Sequence, residues 1–266
     1  MDSEDAFPLF IALIIGGSTW GHWYYASARV FAPNSSPPLR MAVAVAPVLS
    51  IVVVFLALQS VAEPKVANSG SYQLLFAATA AISLRALFVL LRWFDLDPMN
   101  GAIASANTAN AFVVLGTIIA NTTLNLGANV GTGDTIASVF VPVAFGVIEL
   151  GAFLFAVISV TSLAEETTSG RNLCAGCRLG GLIVASALPL SRAAMGDWIS
   201  TEATIIDMTG GAWPLPLLVA LAVAVERRWP ADDTRGTAAA CVAGLIPAVL
   251  YIAVSGAAAW FLRLGP

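Results

Sequence analysis

The sequence predicts an all-α fold, a polytopic membrane helix bundle of about eight transmembrane helices arranged as four tandem helical hairpins. Three observations predict it. Of the 266 residues, 58% are hydrophobic and 11% are charged, whereas about 25% of the residues of an average soluble domain are charged. The mean hydropathy is +0.85. The apolar residues fall in long runs, and one sequence motif recurs about every 65 residues.

The apolar runs have the length of membrane spans. A helix needs about 20 apolar residues to cross the hydrocarbon core, and its backbone groups must be satisfied without water. The eight predicted spans are approximately residues 8–31, 41–62, 72–94, 105–128, 136–161, 176–196, 211–228 and 236–262. The seventh run is short and carries Pro214 and Pro216 in its first turns. Together the runs form a single integral membrane domain, residues 1–266.

The recurring motif is clearest in "NTANAFVVLGTIIA" at residues 107–120 and "NLCAGCRLGGLIVA" at residues 172–185. Both segments begin with Asn, and their Gly, Ile and Ala positions agree. A weaker copy begins at Arg235, and Arg40 begins a comparable apolar run. Because each period contains two spans, the repeat units have the same orientation and are parallel repeats. The predicted units are approximately residues 1–68, 69–133, 134–198 and 199–266.

Basic residues beside the spans predict the orientation, since cytoplasmic loops carry an excess of Lys and Arg. Three basic residues, Lys65, Arg192 and Arg263, flank the loops after even-numbered spans. We therefore expect the odd-numbered loops in the cytoplasm and both termini outside. The eight arginines that flank the odd-numbered loops are Arg29, Arg40, Arg92, Arg171, Arg178, Arg227, Arg228 and Arg235.

Several segments in succession carry a family resemblance: "SANTANAF" before a small-residue helix, "VAFGVIELGAFLFAVISV", the acidic "LAEETTSG" and a second Asn-led helix. The chain resembles the bacterial membrane family known as domain of unknown function 350, which is built from tandem two-span units. The resemblance covers residues 92–198 and 227–260 best. Arg40 and Arg235 depart from it, since they replace the Asn of the family pattern. The resemblance implies a two-span repeat fold in the bacterial cytoplasmic (inner) membrane and assigns no reaction.

Asn107 and Asn172 begin the second helices of two predicted units. Asn is a favoured N-cap residue, because its side-chain oxygen accepts from a free backbone N–H of the first turn. The alternative is that these positions converge on a polar vestibule that meets an ion or a partner. Small residues at helix interfaces let backbones approach closely. The glycine spacings Gly17–Gly21, Gly127–Gly131 and Gly176–Gly180 therefore predict packing contacts, within the chain or between chains.

Two charges lie deep within predicted spans, Arg85 in "ISLRALF" and Glu149 in "GVIELGAF". A charged group at this depth is unfavourable by about 2.5–3.5 kcal/mol on insertion scales and usually has a partner. They are separated by about one repeat, so they occupy equivalent positions in adjacent units. We expect them to form an intramembrane pair in the bundle interior. The pair would fix helix register or take part in permeation or proton movement.

A polar cluster occupies the predicted outer half of the fourth span and its loop. Such a density of polar groups indicates either a hydrated surface or hydrogen-bonded helix contacts. Acidic residues in the external loops, Asp134, Asp197, Glu202 and Asp207, could add a mouth that attracts cations. The polar residues within the span and at its end are Asn121, Thr122, Thr123, Asn125 and Asn129.

No pattern predicts a cofactor or a metal. His22, the single histidine, lies among Trp20, Trp23 and other aromatic residues, which favours an interfacial side chain over a haem or chlorophyll ligand. Cys174 and Cys177 form a C-x-x-C without a second ligand pair, so neither a zinc site nor a structural disulfide is expected. No P-loop or nucleophile elbow is present, which predicts that the protein is not an enzyme.

Two functions remain open from the sequence. The first is a small channel or transporter for an ion or small solute, with a polar intramembrane pathway past Arg85, Glu149 and the polar cluster. The second is a noncatalytic structural or scaffold subunit of a homo- or hetero-oligomeric membrane complex. The expected partners are the lipid bilayer and copies of the chain or other membrane subunits. The net charge of −4 argues against nucleic acid.

Overall fold

The computed structural model describes residues 3–31, 38–131, 133, 135–231 and 236–262. These residues form helices and no β-strand, which confirms the predicted all-α fold. The helices are α1 (Ser3–Phe31), α2 (Pro38–Val61), α3 (Pro64–Ala67), α4 (Gly70–Trp93), a π-helix (Pro98–Ala104), α5 (Thr108–Ala128), α6 (Ile136–Val160), α7 (Leu163–Thr168), α8 (Leu173–Ala194), α9 (Thr201–Gly211), α10 (Pro214–Arg228) and α11 (Gly236–Leu262).

Seven helical segments of the described chain are long and apolar enough to cross a membrane, so the chain is a multi-pass membrane protein. They are Arg40–Val61, Gly70–Trp93, Thr108–Ala128, Ile136–Val160, Leu173–Ala194, Thr201–Arg228 and Ala239–Phe261. They correspond to the second to eighth predicted spans. The count of eight is not confirmed, because α1 is not among them. That helix has 29 residues, but its second half contains the polar stretch "GGSTWGHW".

The seventh predicted span begins about ten residues earlier than expected. Its apolar helix is made of α9 and α10, which together cover Thr201–Arg228. The two helices are separated at residues 212–213, and Pro214 begins α10. Proline is accepted at the first turn of a helix because it lacks only an N–H that would be unpaired there. Pro214 therefore begins a new helical segment within a span that has already started.

The long helices form two rows. In one row α2, α5, α8 and α11 pack side by side in that order, with the most extensive packing between α5 and α8 and between α8 and α11. In the other row α4 packs against α1 and α6, and α6 packs against α9 and α10. The hydrophobic core lies between the rows and is centred on α8.

Neighbouring helices of the first row run in the same direction, since their facing residues advance together along both helices. Glycines allow these helices to approach each other closely, because they have no Cβ atom. A Cβ atom on Gly116 would lie 2.5 Å from the carbonyl oxygen of Gly180, and one on Gly180 would lie 2.6 Å from that of Phe112. The facing pairs are Ala109–Gly176, Gly116–Gly180 and Gly127–Ser191 between α5 and α8, and Cys177–Gly244 and Gly181–Ala248 between α8 and α11.

The predicted packing contact of Gly17 and Gly21 is not observed within the described part of the chain, and a contact between chains stays a prediction. A Cβ atom on either residue would meet nothing within 4 Å. In contrast, Gly176 and Gly180 lie against the backbone of α5. The same residue spacing therefore marks a close helix contact in α8 and an open surface in α1.

The chain enters α5 and α8 by the same route. A short helix precedes each of them, the π-helix before α5 and α7 before α8. The N–H of Asn107 donates to the carbonyl of Gly101 (3.1 Å), and that of Asn172 donates to the carbonyl of Glu166 (2.9 Å). The preceding residues, Ala106 and Arg171, both have φ of 50°, in the left-handed region that non-glycine residues seldom adopt. This likeness supports the tandem repeat, which stays a prediction.

We call the end of the bundle that contains Asn107 and Asn172 the cap end, and the opposite end the acidic end. At the acidic end α5 and α8 are each followed by a glycine with positive φ, Gly131 (131°) and Gly196 (144°). The N–H of Gly196 donates to the carbonyl of Val130 (3.0 Å). Glycine is suited to this conformation because it has no Cβ, and the two loops can therefore lie against each other.

Candidate functional site

The candidate site is a row of amide side chains inside the bundle. Asn121 and Asn125 lie on α5, and Asn129 is the C-cap residue that follows it; their spacing of four residues places them along one face of the helix. Thr117 continues the row by one more turn. The four side chains are buried, with exposed fractions of 1%, 0%, 5% and 1% in that order. We call these four residues the polar ladder.

Hydrogen bonds connect the ladder to α4 and along α5. The hydroxyl of Ser83 donates to Oδ1 of Asn121 (2.8 Å), and Nδ2 of Asn121 donates to the carbonyl of Ala80 (3.1 Å). Nδ2 of Asn125 donates to the carbonyl of Asn121 (2.9 Å). Nδ2 of Asn129 donates to the carbonyl of Asn125 (2.7 Å). The amide donors are thus satisfied within the chain.

The carbonyl oxygens of the ladder are not all satisfied. Oδ1 of Asn125 and Oδ1 of Asn129 are buried and have no hydrogen-bond partner in the described part of the chain. A buried acceptor without a partner is unfavourable by about 1–3 kcal/mol. Carbonyl oxygens accept hydrogen bonds from water and replace the hydration shell of a cation. The ladder therefore offers free acceptors of the kind that a cation or a polar solute uses.

A small polar pocket lies above the ladder at the acidic end. Its volume is about 40 Å³ and Asn129 forms part of its wall, which leaves room for about three water molecules. Three carboxylates also line it, those of Glu63, Asp197 and Asp207. Oε2 of Glu63 accepts a hydrogen bond from the N–H of Gly133 (3.0 Å). The pocket therefore places three carboxylate groups close to Asn129, at the acidic end of the ladder.

Thr122 and Thr123 belong to the predicted polar cluster but not to the ladder. The hydroxyl of Thr122 donates to the carbonyl of Ile118 (2.8 Å) and lies 2.6 Å from the hydroxyl of Ser50 on α2. The hydroxyl of Thr123 donates to the carbonyl of Ile119 (2.9 Å). Both hydroxyls are satisfied by helix contacts. Asp134, one of the predicted external acids, lies outside the described residues.

Asn107 and Asn172 each make two kinds of contact. Oδ1 of Asn107 accepts from the N–H of Asn110 (3.2 Å), and Oδ1 of Asn172 accepts from the N–H of Ala175 (3.1 Å). Each side chain is thus the N-cap of its helix. Nδ2 of Asn107 donates to the carbonyl of Thr167 (2.8 Å), and Nδ2 of Asn172 donates to that of Ala231 (2.8 Å). Each Asn therefore ties its helix to the connector that follows about 60 residues later.

Arg40 makes an equivalent tie where the repeat has no Asn. Its Nε donates to the carbonyl of Ile103 (2.7 Å), and its Nη2 donates to that of Ala104 (3.3 Å). Both carbonyls belong to the π-helix, the next connector along the chain. A different side chain therefore makes the same kind of contact at the corresponding position.

The predicted pair of Arg85 with Glu149 does not form within the chain. Both side chains are half-buried, but neither makes an ion pair among the described residues. Oε2 of Glu149 has no hydrogen-bond partner there. Glu149 instead lines an apolar groove of about 570 Å³ between α6 and the α9–α10 segment. Glu149 therefore faces the α9–α10 segment rather than α4, the helix that carries Arg85.

The buried ion pair of the bundle joins two other residues, which the sequence did not predict as partners. Nη1 of Arg178 lies 2.6 Å from Oε1 of Glu226, and it also donates to the carbonyl of Trp229 (2.6 Å). Arg178 is 2% exposed. Arg178, which we counted among the basic residues that flank the odd-numbered loops, therefore lies inside the bundle. The available signal was that Arg178 falls two residues inside the predicted sixth span.

The remaining sequence candidates occupy structural positions. His22 is exposed on α1. Trp20 and Trp23 are buried and pack against Phe88 of α4, so they are contacts between α1 and α4. None of the three cysteines forms a disulfide bond. Within the described residues, no cluster of three or more His, Cys, Asp or Glu side chains is placed to hold a metal.

Comparison of the chain with protein-family models, curated proteins and solved structures finds no match. The resemblance to domain of unknown function 350 stays a prediction.

Proposed function

We propose that this multi-pass membrane protein is a small channel or transporter for a cation, which enters at the acidic pocket and passes along the polar ladder. The observation that carries the proposal is the pair of buried, unpartnered carbonyl oxygens on Asn125 and Asn129. Acceptors in this arrangement suit an ion that has lost part of its hydration shell. The carboxylates of Glu63, Asp197 and Asp207 at the entrance raise the local concentration of cations.

The ladder extends over more than half of the membrane. Thr117 and Asn129 are twelve residues apart, which corresponds to about 18 Å along a helix, whereas the hydrocarbon core is about 30 Å thick. Asn110 lies on the same face of α5, nearer the cap end, and its Oδ1 is also buried without a partner among the described residues. Polar groups therefore recur along α5 from the acidic end towards the cap end.

Two valines separate the ladder from Asn110. Val113 and Val114 are both 0% exposed and fill the level between Asn110 and Thr117. Hydrophobic constrictions gate channels by excluding water. We assign this level as the gate, and the described conformation as the closed one.

Flux measurements on purified protein in liposomes test the proposal. We expect potassium or sodium flux above that of empty liposomes, at least a tenfold decrease for Asn125→Leu, and an increase for Val113→Ser. Asn68→Leu is the matched control, since Asn68 is exposed at the acidic end and should leave the flux unchanged. All variants are compared at equal amounts of protein that elutes as a single folded species. Wild-type flux equal to that of empty liposomes would reject the proposal.

A scaffold subunit is the second candidate, and the hydrogen bonds of the ladder favour it. The amide donors of Asn121, Asn125 and Asn129 all bind within the chain, so the ladder also fastens α5 to α4. If this is its role, Asn125→Leu lowers the stability of the protein, and neither wild type nor variant conducts ions. The flux and stability measurements together therefore distinguish the two candidates.

We further propose that the chain consists of four tandem hairpin units and lies in a bacterial cytoplasmic membrane with both termini outside. Matched features 65 residues apart support the repeat: the caps Asn107 and Asn172, and the glycines Gly131 and Gly196. The ties made by Arg40, Asn107 and Asn172 to the following connectors also support it. This two-span unit is the feature shared with the family known as domain of unknown function 350.

A further inference from the structure

The lipid-facing surface of the second row carries two opposite charges without partners. Arg85 lies on α4 beside the exposed Ala86 and Val89. Glu149 lies on α6 beside Ile148, which is 63% exposed. Neither side chain makes an ion pair within the described residues. An uncompensated charge inside the hydrocarbon core is unfavourable, and such residues usually pair with one another.

The two charges lie at similar depth. A Cβ atom on Gly151 would lie 3.1 Å from Leu90, so these two residues mark the same level of α4 and α6, which run in the same direction. Arg85 precedes Leu90 by five residues, and Glu149 precedes Gly151 by two. The difference of three residues is about 4.5 Å along the helices, which an arginine side chain can span.

The groove that Glu149 lines can accept another helix. It lies between α6 and the α9–α10 segment, has a volume of about 570 Å³ and contains the small residues Ala152, Ala156 and Ala212 in its wall. Small residues allow close helix approach in membranes. The position next to Arg85 is Ala86, which is also small and exposed. Both surfaces therefore combine a charge with room for a close backbone contact.

We propose that a second copy of this chain docks its α4 into the groove, so that Arg85 of one copy pairs with Glu149 of the other. Symmetry about an axis normal to the membrane keeps every residue at its own depth. The two charges consequently keep their difference in depth of about 4.5 Å, which the arginine side chain spans without any vertical shift of the copies. A lipid tail could fill the same groove but would leave both charges unpaired. This inference is independent of ion transport.

A charge-swap experiment tests the pairing. Homo-oligomers of Arg85→Glu contain only carboxylates at the contact, and those of Glu149→Arg contain only guanidinium groups. A mixed assembly of the two variants restores an opposite charge at every contact. We expect each variant alone to be mostly monomeric by native mass spectrometry. Coexpressed with different tags, the two should copurify at least five times better than either variant copurifies with itself.

Crosslinking provides a second measurement that leaves both charges in place. In a chain whose three cysteines are replaced by Ala, Val89→Cys on the exposed face of α4 and Ala152→Cys, which lie within about 3 Å of each other in depth, are coexpressed with different tags and oxidised in native membranes. We expect a mixed crosslinked dimer. Val249→Cys coexpressed with Ala152→Cys is the matched control, because Val249 is 62% exposed on α11, away from the groove, and should give no such dimer.

Several results would overturn the inference. Wild-type protein that is monomeric in lipid nanodiscs would do so, as would swap variants that self-associate as well as the mixture does. Equal crosslinking of the Val89→Cys and Val249→Cys chains would show collision in the membrane rather than a specific contact. Swap variants that fail to fold leave the crosslinking result to decide.

Discussion

Arg178 of α8 and Glu226 of α10 form an ion pair of 2.6 Å inside the bundle. The guanidinium also donates to the carbonyl of Trp229, just after α10, and to that of Ala243 in α11 (3.4 Å). Arg178 therefore connects α8 and α11 of the first row with α10 of the second row. A guanidinium suits this position because it has five donors in a planar group.

Breaking this pair should destabilise the protein. Removing one partner of a buried pair leaves an uncompensated charge and lowers stability by about 3–5 kcal/mol. We expect Glu226→Ala to lower the free energy of unfolding by about that amount, measured by denaturant titration in detergent micelles. The double variant Arg178→Met/Glu226→Leu should be more stable than Glu226→Ala. The exposed Glu202, changed to Gln, serves as the control, and a loss of equal size there would contradict the prediction.

Asn107 makes two contacts that substitution can separate: it caps α5 and it donates to the carbonyl of Thr167. Asn107→Asp keeps an acceptor for the N–H of Asn110 but loses the donor to Thr167, whereas Asn107→Ala loses both. Loss of an N-cap costs about 0.5–2 kcal/mol. We expect Asn107→Ala to have the lower midpoint of thermal unfolding, with Asn107→Asp between it and wild type. Identical midpoints for the two variants would show that capping contributes nothing.

The glycine contact between α5 and α8 should not accept a methyl group. Gly116→Ala places a Cβ against the carbonyl of Gly180, and the helices must separate, which we expect to cost about 1–3 kcal/mol by analogy with overpacked cores. Gly210→Ala is the matched control, because nothing lies within 4 Å of its Cβ position. Alanine has the higher helix propensity, so Gly210→Ala should be neutral or stabilising. Thermal unfolding of both variants, measured side by side, checks the difference.

The predicted orientation has a direct assay. Asn68 at the acidic end and Ser169 at the cap end are both exposed. In a chain without its native cysteines, we expect Asn68→Cys to react with a membrane-impermeant maleimide in intact cells. Ser169→Cys should react only after the cells are opened. The reverse pattern would place both termini in the cytoplasm.

Composition and apolar run length were sufficient to predict the helical membrane fold, because the bilayer imposes both. The same rules could not predict how α9 and α10 combine, since the span crosses a proline pair that usually marks a boundary. The π-helix and α7 were also missed. Each is too short to produce a periodic pattern in the sequence.

The candidate site was predicted in part. Asn121, Asn125 and Asn129 have a spacing of four residues that indicates one helix face, but the sequence does not show that Ser83 lies opposite. For Arg85 and Glu149, the predicted repeat gives corresponding positions but not the direction of each side chain around its helix, and the expected ion pair is not found among the described residues. Arg178 and Glu226 come from different spans, and hydropathy does not tell which spans are neighbours.

The ties made by Arg40, Asn107 and Asn172 all point forward along the chain. Each donor lies at the start of one helix, and its carbonyl acceptor belongs to a residue that the ribosome adds about 60 residues later. A nascent chain that ends before Thr167 therefore lacks the carbonyl to which Nδ2 of Asn107 donates in the folded protein. Completion of each hairpin supplies the acceptor for the previous one, so the order of synthesis is also the order in which these bonds become available.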